Sequence, residues 1–220
     1  MIAADIISNE IPPLKTSDTG LKALVWMDEF KISHLPIVNH RTFLGLLAEE
    51  DIYSFNQPEE PLGSHTLSLP KPYIKNTQHI FEAVRLITNM ELSILPVLDE
   101  KENYIGLITP KDLLKKITEI SAITDTGGII VIEVNERDYS LAQLAHIIES
   151  NDTKILSAYL RSVPDTTLLE VVLKLNRTDL SMVKAALNRY NYNVVGSFMS
   201  NNINDVIDDR FDLLMNYLNI

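Results

Sequence analysis

The chain has 220 residues, of which 45% are hydrophobic and 22% charged, a globular composition that excludes disorder throughout. Its 30 acidic residues outnumber the 19 basic ones, and the net charge of -11 would repel a nucleic-acid backbone. The absence of cysteine excludes thiolate catalysis, cysteine-bound zinc and disulfides. The N-terminal residues lack the basic start of a signal peptide, and no apolar run is long enough to span a bilayer. We therefore expect a cytoplasmic protein without nucleic-acid or membrane partners.

A repeated segment organises the first half of the chain. The sequence ISHLPIV at residues 32–38 returns as LSILPVL at residues 92–98, an offset of 60 residues. Farther on, GLLAEED at 45–51 corresponds to GLITPKD at 106–112 with an offset of 61, because the second intervening turn is one residue longer. Two copies of one structural unit, packed together as a single body, are therefore predicted.

Each copy is predicted to contain a helix, a strand hairpin and a second helix. The first helix follows from apolar residues at helical spacing, which are Leu21, Leu24 and Met27 in the first copy and Phe81, Val84 and Ile87 in the second. The predicted hairpin strands are 35–38 with 43–47, and 95–98 with 104–108. The second helices begin near Glu49 and near Pro110. Residues 57–64, rich in proline, glycine and acidic side chains, are predicted to form a linker between the copies.

A different unit is predicted after the repeat. Residues 129–134 are apolar and β-branched except for Glu133, which is typical of a buried central strand. The elements expected after it are a helix over 141–148, strands at 154–162 and 167–175, a helix over 180–187 and a strand at 193–198. This ferredoxin-like order of strands and helices gives an antiparallel sheet with both helices on one face.

The duplicated pattern resembles a CBS domain pair, also called a Bateman module, over about the first 125 residues. The resemblance implies an α+β fold with two small sheets and packed helices. The first copy is expected at residues 1–58 and the second at residues 59–126. It further implies a non-catalytic regulatory module that binds an adenosine nucleotide or adenosyl ligand in clefts between the copies. AMP, ADP, ATP and S-adenosylmethionine are the expected ligands, and a homodimer is the expected assembly.

Residues 127–200 resemble an ACT-like domain of ferredoxin-like βαββαβ order. Together with the repeat, they resemble the bacterial acetoin-utilisation type of CBS and ACT protein. In ACT domains that bind amino acids, a glycine usually follows the first strand, whereas the loop at 136–140 has none and a side chain would obstruct the ligand. We therefore do not expect amino-acid binding here. Residues 201–220 predict an amphipathic helix that docks on its own domain or is offered to a partner.

The segment from Thr109 to Asp112 carries the main candidate site. Threonine at the N-cap, proline next and aspartate two positions later begin a helix with free N–H groups, which can hold an anion. The CBS resemblance implies that Thr109 binds a phosphate and that Asp112 accepts hydrogen bonds from a ribose. Alternatively, the two side chains only cap the helix. The other candidate ligand-binding residues are Ile7, His34, Asp51, Thr66, Leu67, Pro96, Ile108 and Lys111. Core packing is the alternative for Ile7, Leu67 and His34.

The first copy departs from this pattern at Ala48, Glu49 and Glu50. The hydroxyl is missing, and the carboxylates would repel a phosphate; a lost hydrogen bond to a charged group alone costs about 1.5–3 kcal/mol. We therefore predict that the second cleft binds the nucleotide and that the first is empty, degenerate or built for a less anionic ligand. Asp51 remains available to a ribose in the first cleft, and magnesium held by Glu49 and Glu50 is the alternative that would restore phosphate binding there.

Catalytic motifs are missing from the sequence: it has no HExxH, GxSxG or phosphate-binding GxxxxGK sequence. We therefore predict no catalytic residues, no resident metal and no cofactor. The favoured hypothesis is a sensor whose ligand biases the orientation of the C-terminal domain toward an unknown protein target. The second hypothesis is a ligand-free dimerisation or scaffold protein with vestigial clefts. An enzyme with a diffuse active site is a third hypothesis.

Overall fold

The computed structural model describes residues 1–65 and 69–199. The chain divides into two compact units, Met1–Lys116 and Ile117–Ile220. The described elements are α-helices and small β-sheets, so the α+β fold class is confirmed. The four domain limits inferred from the sequence stay a prediction, and the predicted C-terminal helix at 201–220 lies outside the described residues. None of the described helices is long and apolar enough to cross a membrane.

The first unit contains both copies of the repeat except for the end of the last helix of the second copy. The first copy comprises α1 (Gly20–Phe30), β1 (His34–Asn39), β2 (Thr42–Ala48) and α2 (Glu49–Tyr53). The second comprises β3 (Ile74–Lys75), α3 (Ile80–Asn89), β4 (Leu95–Leu98), β5 (Tyr104–Ile108) and α4 (Pro110–Ile120). Strand β1 pairs with β2, and β3 runs parallel to β4 while β5 is antiparallel to it. The predicted helices and hairpins are confirmed in both copies.

The two hairpins share one irregularity, which shows that the repeat is structural as well as sequential. Each has a β-bulge, after Ile37 in the first copy and after Val97 in the second. A glycine faces each bulged strand: Gly45 pairs with Ile37 and has φ of 152°, and Gly106 pairs with Val97 and has φ of 146°. Side chains rarely adopt such φ values, so glycine is required at both positions.

The segment that enters each copy lies against the other copy. Near the N-terminus, Ser8 exchanges two backbone hydrogen bonds with Leu107 of β5, with N···O distances of 2.8 and 3.1 Å. In the reciprocal place, the Leu46 amide of β2 donates to the Pro70 carbonyl at 2.9 Å. One continuous apolar core also includes residues of both copies. The prediction that the copies form a single body is therefore confirmed.

The buried sides of α1 and α3 differ from the sequence interpretation. Leu21 is 49% exposed and Phe81 is 63% exposed, although both were assigned to the apolar side. Met27 and Ile87 are buried as predicted, and the other buried residues are Gly20 and Ala23 in α1 and Ile80 and Ala83 in α3. The small alanines bring the helices close to the core, and this rotates the leucine and the phenylalanine toward solvent. The predicted linker is also partly a core element, because Leu62 within it is fully buried.

The second unit contains β6 (Gly128–Asn135), α5 (Leu141–Glu149), β7 (Ile155–Ser162), β8 (Leu168–Leu175), α6 (Ser181–Arg189) and β9 (Asn193–Met199). Its sheet has the order β7-β8-β6-β9 with every neighbour antiparallel, so the ferredoxin-like order is confirmed. The core joins alternate residues of β6, such as Ile130 and Ile132, to both helices. Strand β6 lies between β8 and β9, so the predicted central position is confirmed, and only its helix-facing side is fully buried while the other side is half-buried. An apolar run alone does not reveal which faces are covered.

Candidate functional site

The second copy places Thr109 and Asp112 at the start of α4, directly after β5. The Thr109 hydroxyl donates to Asp112 Oδ2 at 2.7 Å, and the Thr109 amide donates to the same oxygen at 3.2 Å. In return, the Asp112 amide donates to Thr109 Oγ1 at 3.1 Å. This is a reciprocal helix cap, so the geometry of the predicted capping alternative is present. The acceptors of these three bonds are Asp112 Oδ2 and the Thr109 hydroxyl oxygen.

The N-terminal segment lies beside this site. Because Ser8 pairs with Leu107, Ile7 reaches the strand just before Thr109. A Cβ atom at Gly106 would lie 2.3 Å from Ile7 Cγ2 and 2.9 Å from Asn9 Oδ1, so the two chains touch closely there. Ile7 is half-buried and packs on the core, which agrees with core packing, the alternative to ligand binding for this residue. The second-copy site therefore combines a helix start from one copy with the entering segment of the other.

The remaining candidates of the second copy are placed differently. Lys111 is exposed in the first turn of α4, next to Asp112. Ile108 and Pro96 are buried, so neither is exposed to a ligand in this structure. Thr66 and Leu67 lie outside the described residues.

The equivalent site of the first copy has a simpler cap and more negative charge. The Ala48 amide donates to Asp51 Oδ2 at 2.9 Å, which reproduces one of the second-copy bonds without the hydroxyl. The Tyr53 hydroxyl donates to Glu49 Oε1 at 2.6 Å, and this hydrogen bond raises the pKa of Tyr53. The carboxylates Glu49, Glu50 and Asp51 all fall in the first turn of α2. The structure thus provides no hydroxyl and three carboxylates where the second copy has Thr109, Lys111 and Asp112.

His34 lies between the two copies and belongs to the first-copy site. Its Nδ1 accepts from the Ser93 amide at 3.3 Å and lies 3.1 Å from both Ser93 Oγ and Ser33 Oγ. Because a backbone amide can only donate, this Nδ1 carries no proton. Burial lowers the pKa of His34, while the nearby carboxylates of Asp51 and Glu50 oppose that shift. The imidazole is therefore held neutral and bridges the copies.

A cavity of about 660 Å³ opens beside this network. Its lining combines apolar Met27 and Ile32 with the hydroxyls of Ser33 and Ser93 and with Glu49 and Tyr53. Sequence reasoning missed the two serines and Tyr53 as candidates. The signal was available, because Ser33 and Ser93 occupy the same place in the two repeat segments.

The second unit contains a polar cavity of about 340 Å³ between the end of β6 and the start of β9. Glu133 and Asp138 line it, and the Tyr192 hydroxyl there donates to Gln143 Oε1 at 3.0 Å. Burial and the Asp138 carboxylate raise the pKa of Tyr192. Within the described part of the chain, no group of three or more histidine, aspartate or glutamate side chains is arranged to hold a metal ion.

Comparison with known proteins bears on the first unit. Residues 67–119 match the family model described as CBS domain. Inosine-5'-monophosphate dehydrogenase of Methanocaldococcus jannaschii is 23% identical over 131 residues, which are 59% of this chain and 26% of that enzyme. Arabinose 5-phosphate isomerase of Francisella tularensis subsp. tularensis is 26% identical over 113 residues, which are 49% of this chain and 34% of that enzyme. The chain thus spans about a quarter to a third of the length of these two relatives.

Solved structures were also found. A CBS domain pair/ACT domain protein from Thermotoga maritima has 21% identity and a TM-score of 0.49, over 54% of this chain and 98% of that chain. CBSX2 in complex with AMP has 21% identity and a TM-score of 0.46, over 54% of this chain and 97% of that chain. The family match to the second copy, together with the structural repeat in the first, supports a CBS domain pair. The ACT-like and acetoin-utilisation assignments stay predictions.

Proposed function

We propose that this protein is a non-catalytic regulatory protein that binds an adenosine nucleotide or adenosyl ligand in the second-copy cleft. The observation that carries the proposal is the pairing of Thr109 and Asp112 at the first turn of an eleven-residue helix, against the entering segment of the other copy. A hydroxyl and amide groups at a helix N-terminus suit a phosphate, and a carboxylate oxygen suits the vicinal hydroxyls of a ribose. AMP, ADP, ATP and S-adenosylmethionine are the candidate ligands.

The charge of the two clefts supports unequal binding. In the second copy Lys111 stands beside Asp112, whereas in the first copy Glu50 stands beside Asp51. An anionic ligand entering the first copy would meet three carboxylates in the first turn of α2 and no threonine hydroxyl. Coulomb repulsion and the missing hydrogen bond act in the same direction. We therefore propose that a phosphate-bearing ligand selects the second copy.

Signal transfer to the C-terminal unit is also proposed. Helix α4 begins at the candidate site and ends at Ile120, beyond the last residue of the first unit. A ligand that alters the first turn of α4 thus acts on a helix shared by both units. We propose that this helix passes the binding signal to the ACT-like domain of a homodimer, and from there to a protein target.

Calorimetric titration of the full chain with AMP, ADP, ATP and S-adenosylmethionine, each without metal, tests the proposal. Asp112→Asn should weaken binding about 10- to 100-fold, because a hydrogen bond to a charged group contributes about 1.5–3 kcal/mol. Asp51→Asn is the matched control: it removes the equivalent cap carboxylate and should leave affinity unchanged. Thermal unfolding of each variant shows whether it remains folded. Equal weakening by both variants would contradict the preference for the second copy.

The alternative is a ligand-free dimerisation or scaffold protein. The reciprocal cap favours it, because Thr109 and Asp112 already satisfy each other without a ligand. Under this alternative, none of the four compounds produces heat of binding or a rise in the unfolding temperature. Asp112→Asn then lowers stability by the cap contribution alone, as Asp51→Asn does in the first copy.

A further inference from the structure

The sheet of the second unit has two faces that are covered differently. Ile130 and Ile132 of β6 belong to the core formed with α5 and α6. Because side chains alternate along a strand, Ile129 and Val131 point to the opposite side, which we call the open face, and both are only half-buried. Strand pairing adds further side chains to this face, namely Tyr159 of β7, Val172 of β8 and Phe198 of β9. The open face is therefore largely apolar, like the face that the helices cover.

Large apolar side chains on the open face remain exposed. Tyr159 and Phe198 are each 59% exposed. A Cβ atom at Gly196, which pairs with Val131, would lie 3.0 Å from Phe198 Cε2 and 3.3 Å from Val131 Cβ. The Phe198 ring therefore reaches the glycine beside Val131, and the two side chains form one apolar surface. Exposed apolar surfaces commonly mark a place where another segment or molecule binds.

The apolar part of the open face lies at the end of the sheet where the chain leaves β9. Phe198 pairs with Ile129, and Met199 is the last residue of β9. Toward the other end of the sheet, the same face carries the ion pair between Arg161 and Glu170, at 2.6 Å. The chain that follows Met199 therefore begins beside the apolar part of the face and not beside its charged part.

The sequence after Met199, which lies outside the described residues, has the pattern of a helix that fits such a surface. The apolar residues on one side of that helix are Ile203, Ile207, Phe211, Leu214 and Leu218. At 3.6 residues per turn, the aspartates at 205, 208, 209 and 212 fall on the opposite side. A helix over residues 203–218 is about 24 Å long, whereas the outer strands of a four-stranded sheet lie about 14 Å apart. The segment is thus long enough to cross the face, and about 14 Å of extended chain joins its start to Met199.

We propose that the occupant of the open face is residues 203–218 of the same chain, as an amphipathic helix. Its apolar side packs on Val131, Tyr159 and Phe198, and its aspartates face solvent. The place where the chain leaves β9, the reach of the segment and its one-sided apolar pattern all support this occupant. The second unit then has helices on both faces of its sheet. This inference does not depend on nucleotide binding.

Thiol labelling of the full chain tests the proposal, because the sequence has no cysteine. Val131→Cys and Tyr159→Cys each place one thiol on the open face, and Tyr159→Cys replaces an exposed side chain that the fold tolerates losing. A maleimide should label each thiol at least ten-fold faster when Ile207→Asp and Phe211→Asp are introduced together, because the charged side chains prevent the helix from packing.

Two controls keep the result specific to this contact. Asp208→Asn with Asp212→Asn changes the same number of residues on the opposite helix side and should leave the labelling rates unchanged. Met182→Cys on α6, a position that is 66% exposed, should be labelled at the same rate in every background. Thermal unfolding by circular dichroism shows that each variant remains folded.

The possible results separate the alternative occupants. Equal labelling rates on the open face with and without the paired aspartate substitutions would overturn the proposal. An equal acceleration at Met182→Cys would overturn it as well, since the segment would then stabilise the whole unit without covering this face. Protection that is lost when the protein is diluted would assign the face to a second copy of the chain instead. Nucleotide binding is measured separately by calorimetry, so its failure leaves this test unaffected.

Discussion

Replacing Gly106 by alanine tests the contact that joins the entering segment of the first copy to the second-copy site. Gly106 has φ of 146°, which side chains rarely adopt. Its added Cβ would lie 2.3 Å from Ile7 Cγ2 and 3.0 Å from the Ser8 carbonyl oxygen. The alanine therefore has to push the entering segment at Ile7 and Ser8 away from β5 or distort the bulge in β4 that faces Gly106. Both responses loosen the contact between the entering segment and β5, just before Thr109.

The magnitude follows from two costs. An unfavourable φ costs on the order of 1–3 kcal/mol, and overpacking a filled space costs a further amount of about 1–3 kcal/mol. We expect Gly106→Ala to lower the free energy of unfolding by about 2–6 kcal/mol, a large share of the 5–15 kcal/mol that is typical of whole domains. Gly45→Ala, at the equivalent place, should lower the free energy of unfolding by as much. Gly45 has φ of 152°, and its added Cβ would lie 2.5 Å from Leu69 Cβ.

Urea denaturation monitored by Trp26 fluorescence measures this loss, because Trp26 is the only tryptophan and lies in the first unit. Gly63→Ala is the matched control: its Cβ would approach Thr16 no closer than 3.3 Å, and its loss should stay below about 1 kcal/mol. A Gly106→Ala protein within about 0.5 kcal/mol of the wild type would refute the reasoning, because such a value is typical of an unconstrained surface position.

Three further predictions concern a cap, a titrating histidine and the second core. Thr109→Ala should lower the free energy of unfolding by about 0.5–2 kcal/mol, because the hydroxyl caps α4. Thr109→Ser keeps the hydroxyl and should retain most of the wild-type stability. Equal losses of stability for the two variants in urea titrations would contradict this. Burial lowers the pKa of His34 below its ordinary 6.5, so the unfolded chain takes up the proton first and native stability falls as the pH decreases below that value. His34→Asn keeps an acceptor for the Ser93 amide and should flatten this part of the stability curve; an unchanged slope would argue against a neutral His34. Ile132→Ala should cost about 2–5 kcal/mol of stability, measured by circular dichroism, because the side chain is fully buried among helices and strands. A loss of similar size in Val131→Ala, on the half-buried face, would contradict the one-sided core.

The candidate site was only partly predictable from the sequence. Thr109 and Asp112 were found because an N-cap threonine and an aspartate three positions later interact within one helical turn, so their geometry is local. The network of His34 with Ser93 was missed as a bridge, because its partners are 59 residues apart and no local spacing relates them. The contact of Ile7 with the second copy was likewise not predictable from a local pattern, because either copy has a strand edge on which this segment could pack.

The sequence by itself determined the order of elements, the duplication and the ferredoxin-like order of the second unit. These features depend on periods of two and 3.6 residues and on turn residues, all of which act between neighbours in the chain. Only the tertiary structure decided which helix side is buried, as Leu21 and Phe81 show. Burial depends on how closely Ala23 and Ala83 let each helix approach the core, and on which segments cover each face, so it arises from contacts between residues that are distant in the chain.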